Sequence, residues 1–481
     1  MKTNFKHYFF LLFAAAALLV GCDKSGTTPE NNNPEKLSSD NSIRSFSFQK
    51  GSNPSLDANY FATSGYDVIY ITVPEGVSLS SLIPSINTDP KATVKCGSTT
   101  VQSESTQLDF SQAVVISVTS ESGVTRHYNV LVKNGNSKVD NMVYSFMVKH
   151  DLPGVSVSVS KDEEIVYSAG YGFANVENKE RVTPDHKFRL ASMSKQHAAI
   201  AIMTLFERGL LKLEDTVFGK NGILADEFGD NMPNSWKAIT LEHLLSHTSG
   251  ITTDCIFGGS AYSGKNTHDR VALLLQSASV AYEPGSTYSY NNSNFGIIGL
   301  VVEKLSGKKF MTFLKEEIYT PREIMDIDCG DNDIIKEKEV NYYGQGGKNP
   351  FGNDVEAGVA AGGVIASTPA LMKLMTYLDY GTKVPDMFKK ETLDRMYTPL
   401  SGVKTTSGSS WNRYALGWRA NYPSIDTWTT YHGGTLAGVC TIWARGTDNV
   451  NGVVLCNSRS YDNGIDDDMW FMLEDIQDLY R

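Results

Sequence analysis

Cysteine is scarce in this chain of 481 residues: there are 6, with no Cys-x-x-Cys among them. That excludes a disulfide-stapled scaffold and the common zinc ribbons. No basic run offsets the net charge of −11, so no nucleic-acid surface is encoded. Gly-x-Ser-x-Gly is absent, which removes the nucleophile elbow of the α/β-hydrolases. The apolar run from Tyr8 to Gly21 is too short to span a bilayer and follows Lys2 and Lys6, the pattern of a signal peptide over residues 1–22.

That run ends Leu19-Val20-Gly21-Cys22, which resembles the lipobox of bacterial lipoproteins. The resemblance implies lipidation at Cys22 and a lipid-anchored protein of the bacterial cell envelope, on the outer membrane. Residues 23–41, rich in Asn, Pro, Ser and Gly, cannot bury a core and read as a tether. Short β-like runs follow over 42–134, among them VIYITV, AVVISVTS and HYNVLVK, and predict an all-β sandwich. It resembles the immunoglobulin-like modules that precede enzymes in bacterial surface lipoproteins, which implies a spacer or a docking surface for protein or glycan. NGNSK, at 135–139, reads as a linker. From 140 to 481 strand-like runs at both ends enclose helical signals, so an α/β (α+β) domain with an antiparallel sheet and a helical lobe is expected. The five cysteines beyond Cys22 are odd in number, so at least one thiol stays free; Cys440 and Cys456 lie on neighbouring strand-like runs that could pair them, and buried free thiols are the favoured reading.

The stretch FRLASMSKQHAAIAIMTLFERG, Phe188 to Gly209, carries the chemistry. It reads as an apolar buried helix stopped by Gly209, with Ser192 and Lys195 at its start. Residues three apart share a helix face about 5–6 Å apart at Cβ, so hydroxyl and amine meet and make an activated nucleophile. Ser-x-x-Lys recurs at Ser47, Ser158, Ser306 and Ser401, in strands and turns where no such geometry follows. A neutral lysine at pH 7 lies roughly 3 units below its ordinary value, about 4–5 kcal/mol, and a helix terminus supplies at most ~2 kcal/mol. Desolvation and a partner must do the rest. Tyr290-x-Asn292, in a loop entering an apolar helix, offers a phenol for proton transfer and an amide for a substrate carbonyl. His432-Gly433-Gly434 ends a strand-like run, where glycines admit a substrate to the backbone. The amides of Ser192 and Thr435 are the candidate oxyanion donors.

Ser192-x-x-Lys195, Tyr290-x-Asn292 and His432-x-Gly434, in that order, resemble the serine β-lactamase and penicillin-binding-protein superfamily in its class C-like branch. The resemblance implies an acyl-serine hydrolase related to β-lactamases and D-Ala-D-Ala carboxypeptidases, acting on a small-molecule or peptide-like ester or amide without metal or cofactor. Ser192 would be the nucleophile, Lys195 and Tyr290 the proton-transfer pair, and Asn292, His432, Gly433 and Gly434 the substrate-binding residues. Where the family usually carries Lys-Thr-Gly, this chain has His-Gly-Gly, losing a permanent cation and a hydroxyl. That disfavours a β-lactamase or cell-wall D,D-peptidase proper and favours an ester or amide lacking the carboxylate. Two other readings compete: zinc on His243 and His247, which lack a nearby third ligand, and a non-catalytic surface sensor on the same fold.

Overall fold

The computed structural model describes residues 37–65, 67–135, 137–407, 414–421, 429–446, 448–461 and 464–481. The signal segment, Cys22 and the tether to residue 36 lie outside them. Residues 37–41, read as tether, lie against the sandwich: the Ser38 amide donates to Glu121 (2.8 Å) and its hydroxyl to Asp89 (2.9 Å).

The N-terminal domain is β-rich. A six-stranded sheet contains Val68–Val73, Thr125–Asn134 and Val114–Thr119, and a three-stranded sheet is centred on Ser45–Phe48. Alternation along these strands sends Phe48, Ile116 and Val118 inward, and the rings of Phe46, Phe48 and Phe110 meet edge-on at 5.2–6.2 Å.

The expected linker is not one. Thr125–Asn134 runs almost directly into a helix that begins at Ser137, and this helix packs on both domains. Tyr70 of the sandwich stacks on Tyr144 at 4.8 Å. Val68, Tyr70 and Leu131 share one apolar cluster with Val143, Val155 and Val157. Lys133, from the sandwich, places Nζ 2.7 Å from the fully buried Asp140 carboxylate and 3.8 Å above the Tyr171 ring. Asp140 also accepts from the hydroxyls of Tyr171 (2.7 Å) and Tyr167 (3.1 Å). The sandwich is therefore docked rather than hinged. Stripping one partner from a buried ion pair costs about 3–5 kcal/mol. Lys133→Ala is expected to lower stability by about that amount, read as a lower midpoint in a single denaturant transition that includes both domains.

The second domain is built on a seven-stranded antiparallel sheet in the order Glu180–Arg181, Glu164–Asn175, Gly154–Lys161, Val450–Cys456, Val439–Arg445, Thr429–Leu436, Arg419–Asn421. The valines of Gly154–Lys161 face the terminal helices Ser137–His150 and Ile465–Asp478. Its serines are buried too, on the other side: Ser156 and Ser158 bond the Thr368 hydroxyl of helix Thr368–Met375 at 2.9 and 2.8 Å. Beyond that helix lies the helical lobe, with Ser194–Glu207 at its centre and Ala198 to Met203 wholly inaccessible. Gly209, at φ 70°, ends this helix in a Schellman motif, its amide on the Phe206 carbonyl and that of Leu210 on Leu205. Cys440 and Cys456 sit opposite each other on adjacent strands as free thiols.

Candidate active site

Phe188 to Gly209 is not one continuous helix. Phe188–Arg189 is a strand paired with Val364–Ala366; Ala191 then takes a left-handed backbone at φ 50°, and a 3₁₀ turn over Ala191–Met193 precedes helix Ser194–Glu207. The tight turn leaves Ser192 partly exposed, and Lys195 is buried in the first helical turn. Lys195 Nζ lies 3.1 Å from Ser192 Oγ, 2.8 Å from Asn292 Oδ1 and 2.7 Å from the Ala361 carbonyl.

Tyr290 comes from the loop before helix Asn292–Ser306, whose N-cap is Asn291. Its hydroxyl lies 2.8 Å from Ser192 Oγ. Lys195, Tyr290 and Asn292 thus converge on Ser192. Burial, opposed in part by Asp254 and helped by Arg419, brings the Lys195 ammonium down to about 7. Burial pushes the Tyr290 phenol up, and neither the Ser192 hydrogen bond nor Arg419 offsets this. At neutral pH Tyr290 is a proton donor to Ser192, and Lys195 is the group able to accept.

The lone pair of a neutral Lys195 has a defined direction. The Ala361 carbonyl and Asn292 Oδ1 can only accept, so they take the two N–H bonds of the amine. What remains faces Ser192.

His432 does not replace the missing cation. It is buried, its Nδ1–H donates to the Gly433 carbonyl (2.6 Å) and its Nε2 lies 2.9 Å from the Tyr414 hydroxyl. Burial first, then Arg419 and Lys195, hold it well below its ordinary value, hence neutral. At Gly434 the absence of a side chain also serves packing. A Cβ there would stand 2.2 Å from both the Leu190 carbonyl and Thr441 Oγ1, and 3.1 Å from Ala191 Cβ. Strand Thr429–Leu436 presses directly on the nucleophile turn, bringing exposed Thr435 alongside it. At Gly433 a Cβ would meet only the Thr441 carbonyl, at an ordinary 3.5 Å.

Sequence reasoning missed two groups, Arg419 and Asp254, and did not place a third, His247, beside Tyr290. Arg419, on the edge strand, has its guanidinium carbon 5.7 Å from the Tyr290 ring and 5.8 Å from that of Tyr414. With Tyr431, Gly433, Thr435, Asp466, Asp467 and Trp470 it lines a cavity of about 400 Å³; the hydroxyls of Tyr288, Tyr414, Tyr431 and Tyr290 favour its charge, and its own charge helps to lower Asp466, whose carboxylate is held by Arg459. Asp254 accepts from Asn292 Nδ2 at 2.7 Å. His247 underlies Tyr290 with ring centroids 4.3 Å apart, its Nδ1 accepting from the Asn291 amide (3.2 Å). His243 instead closes a capping box with Thr240. The two histidines thus have separate tasks, and no trio of His, Cys, Asp and Glu gathers as metal ligands among the described residues. His197 lies in the core, bonded to Tyr319 at 2.8 Å and stacked on Trp443.

Comparison with known proteins bears on the family and the fold. Protein flp of Staphylococcus aureus (strain COL) is 24% identical over 331 residues, 69% of this chain and 64% of that protein, so the chain spans 64% of its curated relative's length. Among solved structures, the β-lactamase/D-alanine carboxypeptidase of Yersinia pestis complexed with citrate superposes with a TM-score of 0.58 at 17% identity, over 72% of this chain and 100% of that one. The D-amino acid amidase of Ochrobactrum anthropi SV3 superposes with a TM-score of 0.57 at 19% identity, over 72% and 99%. At such identities the two structures establish the fold. Residues 45–132 match the family model "SGBP, N-terminal". Residues 139–472 match the Beta-lactamase model, and the chain belongs to that family.

Proposed function

We propose that the protein is a serine hydrolase that cleaves an ester or amide bond of a peptide-like substrate through an acyl-serine. The observation that carries this reading is Ser192 Oγ held between the Tyr290 hydroxyl at 2.8 Å and an amine, 3.1 Å away, that is brought down to about 7. Neutral Lys195 takes the Ser192 proton as Oγ attacks the carbonyl, and the amides of Ser192 and Thr435 hold the oxyanion. Tyr290 gives its proton to the departing atom, and Lys195 passes the proton it took from Ser192 on to the Tyr290 phenolate, which restores both groups. Water then cleaves the acyl-enzyme by the same groups in reverse.

Arg419 changes the substrate class that the sequence favours. A permanent cation in the cavity beside Gly433 and Thr435 suits an acyl donor bearing a carboxylate, which His432 cannot hold. D-peptidase and β-lactam substrates re-enter on that ground. The lipid anchor at Cys22 and an envelope location are proposed from the sequence alone.

Intact-mass measurement after exposure to a fluorophosphonate, and separately to penicillin, tests the reading. A fluorophosphonate adduct absent from Ser192→Ala is expected. Penicillin acylation is expected to slow about 10- to 100-fold in Arg419→Ala, matching the 1.5–3 kcal/mol of a charge-assisted hydrogen bond. A folded protein that takes neither label would make it a binding protein on this fold.

A further inference from the structure

Asp254 lies outside every motif, yet its two carboxylate oxygens are differently committed. Oδ1 accepts from the amides of Ile256 (2.8 Å) and Phe257 (3.1 Å), which fixes the carboxylate within its own loop. That loop is tied to the start of helix Asn292–Ser306, because the Cys255 amide donates to Ser293 Oγ (2.9 Å) and the Ser293 hydroxyl donates to the Thr253 carbonyl (2.9 Å). Oδ2 is left to receive Asn292 Nδ2 at 2.7 Å.

An ionised carboxylate only accepts, so Asn292 must turn its NH₂ toward Asp254 and its carbonyl oxygen toward Lys195. Were the amide reversed, its NH₂ would donate to the lone pair of neutral Lys195 and divert it from Ser192. We infer that Asp254 is a positioning residue that acts through Asn292, setting the amide orientation that leaves the Lys195 lone pair for Ser192. This rests on the hydrolase reading above and adds to it the residue that aims the base.

Asp254 has a second effect on the same lysine, since its negative charge favours the ammonium. The other groups facing Lys195 are Tyr290, Arg419, His247 and His432; Arg419 opposes the ammonium, and Lys195 itself disfavours charge on both histidines. Asp254→Asn removes the charge and leaves a single acceptor oxygen for two duties. The rate of fluorophosphonate labelling is expected to drop about 10- to 100-fold. The acid limb of its pH profile should move to lower pH, opposite to what simple loss of a base would suggest.

The test combines Asp254→Asn, Asn292→Ala and the double variant, each checked for its melting temperature, with two readouts. The first is labelling rate against pH. The second is the titration midpoint of Lys195, followed by NMR in lysine-labelled protein, which needs no turnover. A lower midpoint in Asp254→Asn is expected, with a labelling defect that largely vanishes in the Asn292→Ala background. An unchanged midpoint, or full additivity of the two defects, overturns the inference. Absence of labelling in the wild-type protein alongside a shifted midpoint would instead remove the hydrolase reading and leave the positioning role standing.

Discussion

Lys195→Met is expected to slow acylation of Ser192 by about 10³-fold or more, in the upper part of the range for a removed general base. Only the neutral amine accepts a proton, so the wild-type rate should rise with pH and level off above about 7. The variant should lose that limb. Its stability gives an independent check. A lysine at 10.5 in the unfolded chain and about 7 when folded binds more protons unfolded throughout that interval. Stability from this site therefore climbs as pH rises from about 7 to 10.5, and its full cost, about 5 kcal/mol at most, applies below pH 7. Methionine removes that cost but strands the Ala361 carbonyl and Asn292 Oδ1, at about 1–3 kcal/mol each. The net change at pH 6 is small. The slope is what matters: relative to wild type, the variant should become steadily less stable between pH 7 and 10. Parallel curves would mean that Lys195 is an ordinary surface-like lysine, and the proposed base would be lost.

The two adjacent glycines should behave oppositely. In Gly434→Ala the new methyl would meet the Leu190 carbonyl, which already accepts from the Thr441 hydroxyl (2.9 Å) and the Met193 amide (3.2 Å). A hydroxyl can rotate away, but that carbonyl is the backbone of the nucleophile turn. We expect a stability loss of about 2–3 kcal/mol. Acylation should fall about 100-fold, because a shift of 1 Å in Ser192 suffices for that. Gly433→Thr meets no such obstacle and should melt within about 0.5 kcal/mol of wild type. Its hydroxyl would enter the cavity that holds Arg419, and acylation by carboxylate-bearing donors should quicken about 10-fold. Equal activity of Gly434→Ala and wild type would refute the packing role.

The site was half legible in the sequence, for a physical reason. Ser192 and Lys195 are three residues apart, and Tyr290 and Asn292 border one helix start, so local periodicity and turn chemistry place each pair. Arg419 and Asp254 reach the site only through tertiary folding, from a three-residue edge strand and an irregular loop that bear no periodic signal. The role of Gly434 was hidden similarly, because composition shows a glycine is bare but not what it is bare against. Residues 135–139 misled in the other direction. Their composition is that of a linker, whereas the decisive contacts, Tyr70 on Tyr144 and Lys133 on Asp140, are made by residues on either side of the segment and leave no mark on its composition. The strands themselves were clearer: VIYITV is a strand, as its β-branched and aromatic composition predicts, although both of its faces are buried. Valine–serine alternation in Gly154–Lys161 predicts a strand, but its serine face meets a helix rather than water.

That strand also sets the order in which the molecule can be completed during synthesis. Gly154–Lys161 emerges early, and its hairpin partner Glu164–Asn175 follows at once. Its other neighbour, Val450–Cys456, follows only after the whole helical lobe has been made. Until then Val155, Val157 and Val159 lack their covering helix Ile465–Asp478, and one edge of the central strand stays open to any passing strand. The second domain closes like a clasp whose two halves lie far apart along the chain, so a chain stopped short of residue 450 is a template for aggregation rather than a smaller folded domain.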